Sequence, residues 1–391
     1  MSLAFELHTA ASVHFGRGSR QRIAALARGF GRRAIIVSGG ASLSASGELA
    51  RLTGRLEELG MTAVHFSVVG EPVPSVVDDG VRRCRDGSCE LVVGIGGGSV
   101  IDAAKAIAAV VSNGGAAIDY LENLPSGGRR SIATSPLPLI AAPTTAGSGS
   151  EVTKNAVLRV PDAGVKRSMR SDLMVPRIAV IDPDLSCGAP RSVAIPAALD
   201  ALTHLVEGYV SKGAQPTTDL LAFEGLRRSF AALTAVAHGT DDAAAADELA
   251  LASLWGGIVL ANAGLGAVHG LVAPLGGQFP IPHGCGCAAL LAPGARTNVA
   301  ALRLRDAAGP ALVRYTQIAQ ALIGPMARAE DLADAFDSLR ASLGAKLLGH
   351  YGVTEANLES IIAGARGGSM KSNPIVLTDA ELESILRGAL G

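Results

Sequence analysis

An aspartate and three histidines in the second half of the sequence carry side chains that bind transition metals. Asp200 and His204 are four residues apart, so in a helix they lie on one face about one turn apart. His269 and His283 fall in a stretch, residues 249–295, without any Asp, Glu, Lys or Arg. Three imidazoles and one carboxylate suit Fe²⁺ or Zn²⁺, whereas Mg²⁺ and Ca²⁺ prefer oxygen ligands. The sequence therefore predicts a transition-metal site.

Other interpretations of these residues remain open at this point. An Asp and a His four residues apart are also a common pair on helix surfaces. His283, Cys285 and Cys287 could bind zinc as a His-x-Cys-x-Cys cluster, but such close spacing departs from the usual zinc motifs. The two cysteines are more simply small buried residues. Glu207 is either a hydrogen-bond partner of a metal ligand or an acid on the helix surface.

Two loops that follow predicted strands could bind the phosphates of a dinucleotide. Residues 94–102, Gly-Ile-Gly-Gly-Gly-Ser-Val-Ile-Asp, join a buried strand to a helix, whose free N–H groups attract anions. The Rossmann pattern would need glycine in place of Ser99, so the design is a different one, unless the glycines serve packing alone. Residues 142–153 place hydroxyls after the next strand, where an open α/β sheet binds ligands, although a plain polar loop has the same composition.

Alternating strand and helix patterns in the first half must position these loops. They predict an α/β fold with a parallel sheet covered on both faces. The predicted strands are 33–38, 62–68, 90–95, 137–142 and 177–181, and the predicted helices are 47–60, a helix from Val76 capped by Ser75, and 99–111. Strand patterns disappear after Asp184. We therefore expect an α/β dinucleotide-binding domain with a parallel sheet at residues 1–184 and an all-helical metal-binding domain at residues 185–391.

Composition argues against several classes of partner. The formal net charge is -1, with 34 Lys and Arg against 35 Asp and Glu, so neither nucleic acid nor an anionic membrane is an expected partner. The first residues do not resemble a signal peptide, and the five cysteines are irregularly spaced, which predicts reduced thiols in the cytoplasm. Prolines and histidines interrupt residues 249–295, which predicts a core helix and a loop rather than a membrane span.

In combination, these motifs resemble those of the iron-dependent, or group III, alcohol dehydrogenase family. They are Gly96-Gly97-Gly98-Ser99-(x)2-Asp102-(x)2-Lys105, Pro143-Thr144-Thr145-Ala146-Gly147-Ser148-Gly149-Ser150-Glu151, Asp200-(x)3-His204-(x)2-Glu207 and His269-(x)13-His283-Gly284. The resemblance runs nearly end to end. It implies the architecture of dehydroquinate synthase and iron-type alcohol dehydrogenases. It also implies a metal-dependent, NAD(P)-linked alcohol dehydrogenase or aldehyde reductase, which transfers hydride between nicotinamide C4 and a small alcohol, aldehyde or ketone and forms a homodimer or larger homo-oligomer.

The resemblance also assigns roles to individual residues. The implied ligands of Fe²⁺, or alternatively Zn²⁺, are Asp200, His204, His269 and His283. The implied contacts of NAD or NADP are Gly39, Gly40, Gly96, Gly97, Gly98, Ser99, Asp102, Thr144, Thr145, Ser148 and Lys154. Members often carry Asp where Gly39 and Gly40 stand, and that acid repels a 2′-phosphate, so we expect NADP to be tolerated or preferred. Many members also carry a histidine, proposed as a proton relay, at the position of Ala273.

The resemblance leaves two related activities as alternatives. Maleylacetate reductases share the fold and are generally thought not to need a metal, but all four ligand positions are filled here. A lyase of the dehydroquinate synthase type would need a basic pocket for a phosphorylated acid, and the sequence has no dense Lys/Arg cluster near the predicted ligands. A non-catalytic binding protein would be expected to have lost some of the ligands.

Overall fold

The structure is a computed structural model that describes residues 4–124, 130–240 and 243–391. The chain divides into two compact units. The α/β unit comprises His8–Thr145 and Gly149–Ala189, and the helical unit comprises Pro190–Gly391 with Ala146–Ser148 and the N-terminal residues up to Leu7. The domain boundary that the sequence suggests after Asp184 stays a prediction, since compactness alone does not show where independent folding begins.

Six parallel strands form the sheet of the α/β unit, in the order β1-β8-β5-β4-β2-β3. The strands of this unit are β1 (Ser12–Phe15), β2 (Arg33–Gly39), β3 (Thr62–Val68), β4 (Leu91–Gly96), β5 (Leu139–Pro143), β6 (Asn155–Val160), β7 (Val165–Arg170) and β8 (Ile178–Ile181). Its helices are α1 (Ile23–Arg28), α2 (Ala41–Ala45), α3 (Glu48–Glu58), α4 (Pro74–Asp86), α5 (Gly98–Asn113) and α6 (Pro183–Ser186). β6 and β7 form a separate antiparallel pair.

Side chains of β2 show why both faces of the sheet are covered. Ile35 and Val37 join a buried cluster with residues of α4 and α5, whereas Ala34 and Ile36 join a second cluster with residues of α1 and α3. Successive side chains of a strand point to opposite faces, so a continuously apolar strand requires helices on both sides. The predicted parallel sheet with two covered faces is confirmed.

The connections that follow β2 and β4 run to opposite sides of this strand pair. A crevice is therefore expected at the carboxyl ends of the two strands. β2 is followed by β3 on one side of the sheet, and β4 is followed by β5 on the other. Open α/β sheets bind ligands at such a reversal of strand order. Ser38 pairs with Ile95 in the sheet, so the loops that begin at Gly40 and Gly97 start side by side.

Three local predictions differ from the structure. Residues 249–295 do not form a core helix followed by a loop, because they belong to the helices Ala243–Ala263, Ala267–Gln278 and His283–Arg305, and both His269 and His283 lie on helices. Ser75 does not cap α4, since the helix begins one residue earlier at Pro74 with Val73 at the N-cap. Proline fits the first helical position because its φ is already helical and its missing N–H would be unpaired there. The strands β1, β6 and β7 were not predicted, because β1 has only four residues and the β6–β7 pair carries exposed polar side chains such as Arg159.

Every described residue from Ala198 to Val210 is buried in the helical unit, which places α7 at its centre. The helices of this unit are α7 (Arg191–Val210), α8 (Pro216–Ala237), α9 (Ala243–Ala263), α10 (Ala267–Gln278), α11 (His283–Arg305), α12 (Pro310–Leu322), α13 (Leu332–Ser342), α14 (Leu358–Ala365) and α15 (Asp379–Gly388). α7 packs against α8, α9 and α11, and α10 packs against α11 and α14. The buried polar residues of α7 therefore need partners from neighbouring helices.

One helix in the described part of the chain, α9, is long and apolar enough to cross a membrane by length and composition. It packs against α7 and α8, and Ala252, Val259 and Ala263 contribute to the buried cluster of these helices. Core helices of globular proteins commonly pass the same test of length and apolarity. Its packing identifies α9 as a core helix of this unit.

Candidate active site

Asp200 and His204 lie one turn apart on α7 and are both buried. The distance from His204 Nε2 to Asp200 Oδ1 is 3.6 Å. An ionised carboxylate in a helical core needs nearby positive charge or hydrogen-bond donors. The pair therefore depends on groups that other helices bring to the same place.

α10 and α11 bring two further histidines to Asp200. His269, near the start of α10, places Nε2 3.2 Å from Asp200 Oδ1, and His283, the first residue of α11, places Nε2 3.6 Å from the same atom. The ring centroids of His204 and His269 are 4.7 Å apart, and those of His269 and His283 are 5.4 Å apart. One carboxylate oxygen thus has three imidazole nitrogens around it.

These spacings fit a bound transition metal. Ligands about 2.0–2.3 Å from a tetrahedral ion are separated from each other by about 3.3–3.8 Å. The three distances from Asp200 Oδ1 to imidazole nitrogens, 3.2, 3.6 and 3.6 Å, match or closely approach that range. The structure places the three predicted histidines around Asp200 Oδ1, with donor atoms of the kind that Fe²⁺ and Zn²⁺ accept. His204 approaches Asp200 but is not part of the group of donor atoms that all lie within 4.8 Å of one another, which contains Asp200, His269 and His283.

Glu207 fixes the orientation of His269. Its Oε2 lies 2.7 Å from His269 Nδ1, so Nε2 is the nitrogen directed at Asp200. The same carboxylate accepts hydrogen bonds from the backbone N–H groups of Val268 (2.7 Å) and His269 (3.3 Å) at the start of α10. Asn373 Oδ1 accepts the N–H of Ala267. The helix N-terminus therefore stabilises the buried Glu207 carboxylate, which in turn holds the His269 imidazole in one orientation.

The protonation states of Asp200 and His204 favour the binding of a cation. Burial opposes ionisation of Asp200, but the neighbouring histidines lower the pKa of its carboxyl well below its usual value. Burial lowers the pKa of His204 to about 3, which leaves its ring neutral. For His269, burial lowers the pKa, yet Cys287, Asp200 and Glu207 together raise it well above its usual value. Metal ligation needs ionised carboxylates and neutral imidazoles, a condition that the environments of Asp200 and His204 favour and that of His269 opposes.

Cys287 lies among the same donor atoms, although the sequence suggested it as a ligand only within the alternative cluster of His283, Cys285 and Cys287. Ligand atoms of Asp200, His269, His283 and Cys287 all lie within 4.8 Å of one another. Cys285 is not in this group, so the three-residue cluster with His283, Cys285 and Cys287 is not assembled. α11 begins at His283, which puts Cys287 one turn later on the same face and Cys285 elsewhere on the helix. The spacing of four could have shown this, but the prolines before His283 suggested a loop.

Close helix packing determines where α11 begins. A Cβ at Gly284 would lie 2.2 Å from the carbonyl oxygen of Pro196 in α7, so only glycine permits this approach. Gly256 of α9 similarly has His204 Cβ within 3.3 Å of the position a Cβ would take. These glycines allow backbones to come close enough for His283 to reach Asp200. His283 itself is half-exposed, so the cluster is accessible from one side.

In the α/β unit, the glycines at the end of β4 serve two purposes. A Cβ at Gly96 would lie 2.6 Å from Val100 Cβ, so this glycine permits packing. Gly97 has only the Thr145 side chain near its Cβ position, at 3.5 Å, and no side chain caps α5 there. The N-terminus of α5 is therefore open to an anion, at a point where a ligand's phosphate could approach the backbone.

The two predicted phosphate loops lie next to each other. Gly96 pairs with Pro143 in the sheet, and the backbone N–H of Thr144 donates to the carbonyl of Gly96. Thr144, Thr145, Gly98 and Ser99 are partly exposed. Hydroxyl and backbone donors are thus gathered at the carboxyl ends of adjacent strands, as the sequence predicts.

Asp102 has a different environment from the loop glycines. Both of its carboxylate oxygens have partners within the unit, because Oδ1 accepts from Ser150 and Lys105 and Oδ2 accepts from the backbone of Val157. Lys105 is fully buried and also donates to Ser150 Oγ (2.9 Å), Thr153 Oγ1 (3.0 Å) and the carbonyl of Asn155. This network ties α5 to the loop after β5, a structural role that sequence reasoning missed.

The remaining predicted cofactor residues occupy separate positions. Gly39 ends β2 and Gly40 follows it, and no heavy atom outside its chain neighbours lies within 4 Å of a Cβ built at Gly40. Lys154 is partly exposed and pairs with Asp172 at 2.7 Å. Ser148 falls in the short segment that groups with the helical unit. Ala273 is an exposed residue of α10, one turn after His269.

Comparison with known proteins shows which family combines these features. The model of iron-containing alcohol dehydrogenases matches residues 10–183, and the model of the C-terminal region of the same family matches residues 194–390. The chain belongs to the iron-containing alcohol dehydrogenase family. It is accordingly an oxidoreductase, a metal-dependent, NAD-linked alcohol dehydrogenase or aldehyde reductase.

Individual members of the iron-containing alcohol dehydrogenase family resemble this chain over most of its length. Long-chain-alcohol dehydrogenase 1 of Geobacillus thermodenitrificans is 38% identical over 280 residues, which are 71% of this chain and 69% of that protein. A crystal structure of 1,3-propanediol oxidoreductase matches with a TM-score of 0.89 and 29% identity, over 99% of this chain and all of the other. Sulfoacetaldehyde reductase from Bifidobacterium kashiwanohense, in complex with NAD+, matches with a TM-score of 0.87 and 27% identity, over 100% and 99% of the two chains.

Proposed function

We propose that Asp200, His204, His269 and His283 hold a divalent iron ion at which a small alcohol, aldehyde or ketone reacts. The observation that supports this is the convergence of three imidazole nitrogens on one buried carboxylate oxygen, at 3.2–3.6 Å. Zn²⁺ is the alternative ion, since the same ligands accept it.

The chain's own residues prepare this centre for the reaction. When bound, the ion supplies Lewis-acid polarisation of a substrate oxygen, and NAD(H) supplies hydride chemistry at nicotinamide C4. Asp200 keeps a negative charge in the core, and Glu207 holds His269 in one orientation. The half-exposed His283 leaves one side open to a substrate. Ala273 has no group that moves a proton, so we infer that water or a cofactor hydroxyl exchanges the proton.

The glycine turn of the α/β unit is proposed to hold the cofactor's pyrophosphate. The uncapped start of α5 offers N–H groups from Gly98 and Ser99, and Thr144 and Thr145 add hydroxyls beside it. Ser148 and Lys154 are assigned to the same cofactor by the resemblance. Asp102 acts indirectly, because its carboxylate oxygens already accept hydrogen bonds within the network that holds the loop.

NADP is proposed to be accepted as well as NAD. Enzymes that discriminate against NADP often place an acid just after a strand of the cofactor crevice, where it binds ribose hydroxyls and repels a 2′-phosphate. At the end of β2 this chain has Gly39 and Gly40, and the space beside Gly40 is open. No carboxylate at either position opposes the additional phosphate.

Location and assembly are proposed on more general grounds. The cysteines are all free, which is typical of a reducing compartment, so we propose a cytoplasmic enzyme. A homodimer or larger homo-oligomer is proposed from the family resemblance. Cell fractionation and light scattering test the two statements separately.

The decisive experiment is elemental analysis of anaerobically purified protein, with NADH and NADPH oxidation measured on small aldehydes before and after chelation. We expect stoichiometric iron or zinc and turnover that chelation abolishes. His269→Ala should lose metal and turnover together, whereas His238→Ala, at the exposed end of α8, should keep both. Turnover that is indifferent to chelation, or full activity in a metal-free protein, would show that the four-ligand assignment is wrong.

A further inference from the structure

We propose that the Cys287 thiolate is an additional direct ligand of the metal, so that the donor set contains sulfur as well as nitrogen and oxygen. This inference rests on the proposed metal site and adds a residue to it. Cys287 is fully buried, and its Sγ lies 3.6 Å from His269 Nε2, the nitrogen that is also directed at Asp200. Cys287 Sγ and the ligand atoms of Asp200, His269 and His283 all lie within 4.8 Å of one another.

The distances within this group are those of atoms that share an ion. Two ligands bound at about 2.1 Å and 2.3 Å in a tetrahedral arrangement lie about 3.6 Å apart. The separation of Cys287 Sγ from His269 Nε2 is 3.6 Å, and that of Asp200 Oδ1 from His283 Nε2 is 3.6 Å. Cys287 Sγ thus lies at the spacing of two atoms that share an ion from one ligand nitrogen, and within 4.8 Å of the ligand atoms of Asp200 and His283.

The helix geometry of α11 supports the same conclusion. His283 and Cys287 are one turn apart on α11, as Asp200 and His204 are on α7. α11 therefore presents both His283 and Cys287 to the group that Asp200 on α7 and His269 on α10 complete. As a ligand, Cys287 would be the thiolate, so its thiol would have to release its proton to solvent when the site is loaded.

A thiolate ligand changes which ion the site prefers. Soft sulfur ligands favour Zn²⁺ over ions that prefer nitrogen and oxygen donors. We therefore expect the wild-type protein to retain Zn²⁺ more tightly, relative to Fe²⁺, than a variant without this sulfur. In Cys287→Ser, Zn²⁺ affinity should fall by at least roughly 10- to 100-fold, the loss typical of removing even an outer partner of a ligand.

Cobalt substitution tests the ligand directly. Metal-free full-length protein is titrated with Co²⁺, and the near-ultraviolet absorption of a sulfur-to-cobalt charge-transfer band is recorded together with the bound metal. Wild type and Cys285→Ser should show the band, because Cys285 is a buried cysteine of the same helix outside the donor group. Cys287→Ser should bind Co²⁺ without the band.

The outcomes separate this inference from the proposed function. Co²⁺ bound by wild type without a sulfur band would overturn the role of Cys287 and leave the four-ligand site intact. A protein that binds no Co²⁺ at all would overturn both. Should Cys287→Ser fail to fold, X-ray absorption of zinc-loaded wild type decides, since the inference requires a sulfur neighbour at about 2.3 Å.

Discussion

Glu207 determines which nitrogen of His269 faces the cluster. Its two oxygens accept from the first N–H groups of α10 and from His269 Nδ1, so one carboxylate serves both the helix and the ligand. Outer partners of this kind fix the orientation of a metal-binding imidazole and increase its basicity. The residue therefore links helix capping to metal affinity.

Glu207→Gln should weaken metal binding without removing a ligand. The amide has only one acceptor oxygen, so it cannot accept from both Val268 and His269 Nδ1. We expect the affinity for Zn²⁺ or Fe²⁺ to fall by roughly 10- to 100-fold, measured by competition with a chelator. Glu224→Gln, on the exposed surface of α8, is the matched control. Unchanged affinity with a lowered Tm would mean that Glu207 only caps α10.

Gly40→Asp should restore discrimination against NADP. The space beside Gly40 admits a side chain, and a carboxylate there would repel the 2′-phosphate. A penalty of about 2 kcal/mol corresponds to a roughly 30-fold lower kcat/KM for NADPH. NADH should be nearly unaffected, and the uncharged Gly40→Asn separates charge from size. If wild type turns over NAD efficiently and NADP not at all, the premise is wrong.

Among the helices and strands, α5 depends on a buried polar network rather than on apolar packing alone. Lys105 joins α5 to Ser150 and Thr153 of the following loop, and burial lowers the pKa of its amine. Glu151 lies beside this network, 1% exposed, and its Oε2 has no hydrogen-bond partner among the described residues. Burial raises the pKa of Glu151 to about 7. The loop that is proposed to hold the cofactor therefore contains a buried carboxyl, that of Glu151, whose protonation changes near neutral pH.

This network predicts a pH dependence of stability. The Glu151 carboxyl titrates near 4.5 in the unfolded chain and near about 7 in the folded one, so the folded state retains a proton that the unfolded state has released. The free energy of unfolding should therefore decrease as pH rises between these values and level off above them. Glu151→Gln should remove this part of the slope in urea titrations, whereas the exposed Glu122→Gln should not. Parallel slopes for Glu151→Gln and wild type would contradict the assignment.

Across the chain, the sequence indicated most of the architecture and part of the site. Buried strands such as β4 were found because a strand covered on both faces is continuously apolar, and Asp200 and His204 were found because spacing defines a helix face. Cys287 was named only within the alternative cluster with His283 and Cys285, because its position relative to Asp200 and His269 depends on where α11 begins. That point is determined by the contact of Gly284 with Pro196, which comes from packing between distant segments.

Removal of the metal should loosen one unit and not the other. The proposed ligands join α7, α10 and α11 within the helical unit, so chelation removes a connection among three helices. We expect amide hydrogen exchange to increase in these helices and to stay unchanged in β4 and α5. NAD(H) binding should instead protect the turn at Gly97–Ser99. Equal changes in both units upon chelation would argue against a metal confined to the helical unit.

The positions of these ligands along the chain have a consequence for biosynthesis. His283 follows Asp200 by more than eighty residues, and the donor atoms meet only when α7, α10 and α11 have packed together. A ribosome-bound chain that has not yet extended past α11 cannot assemble the full site. Metal loading must therefore come late, after most of the helical unit has been made, and the ions then available in the cell will influence which one the enzyme carries.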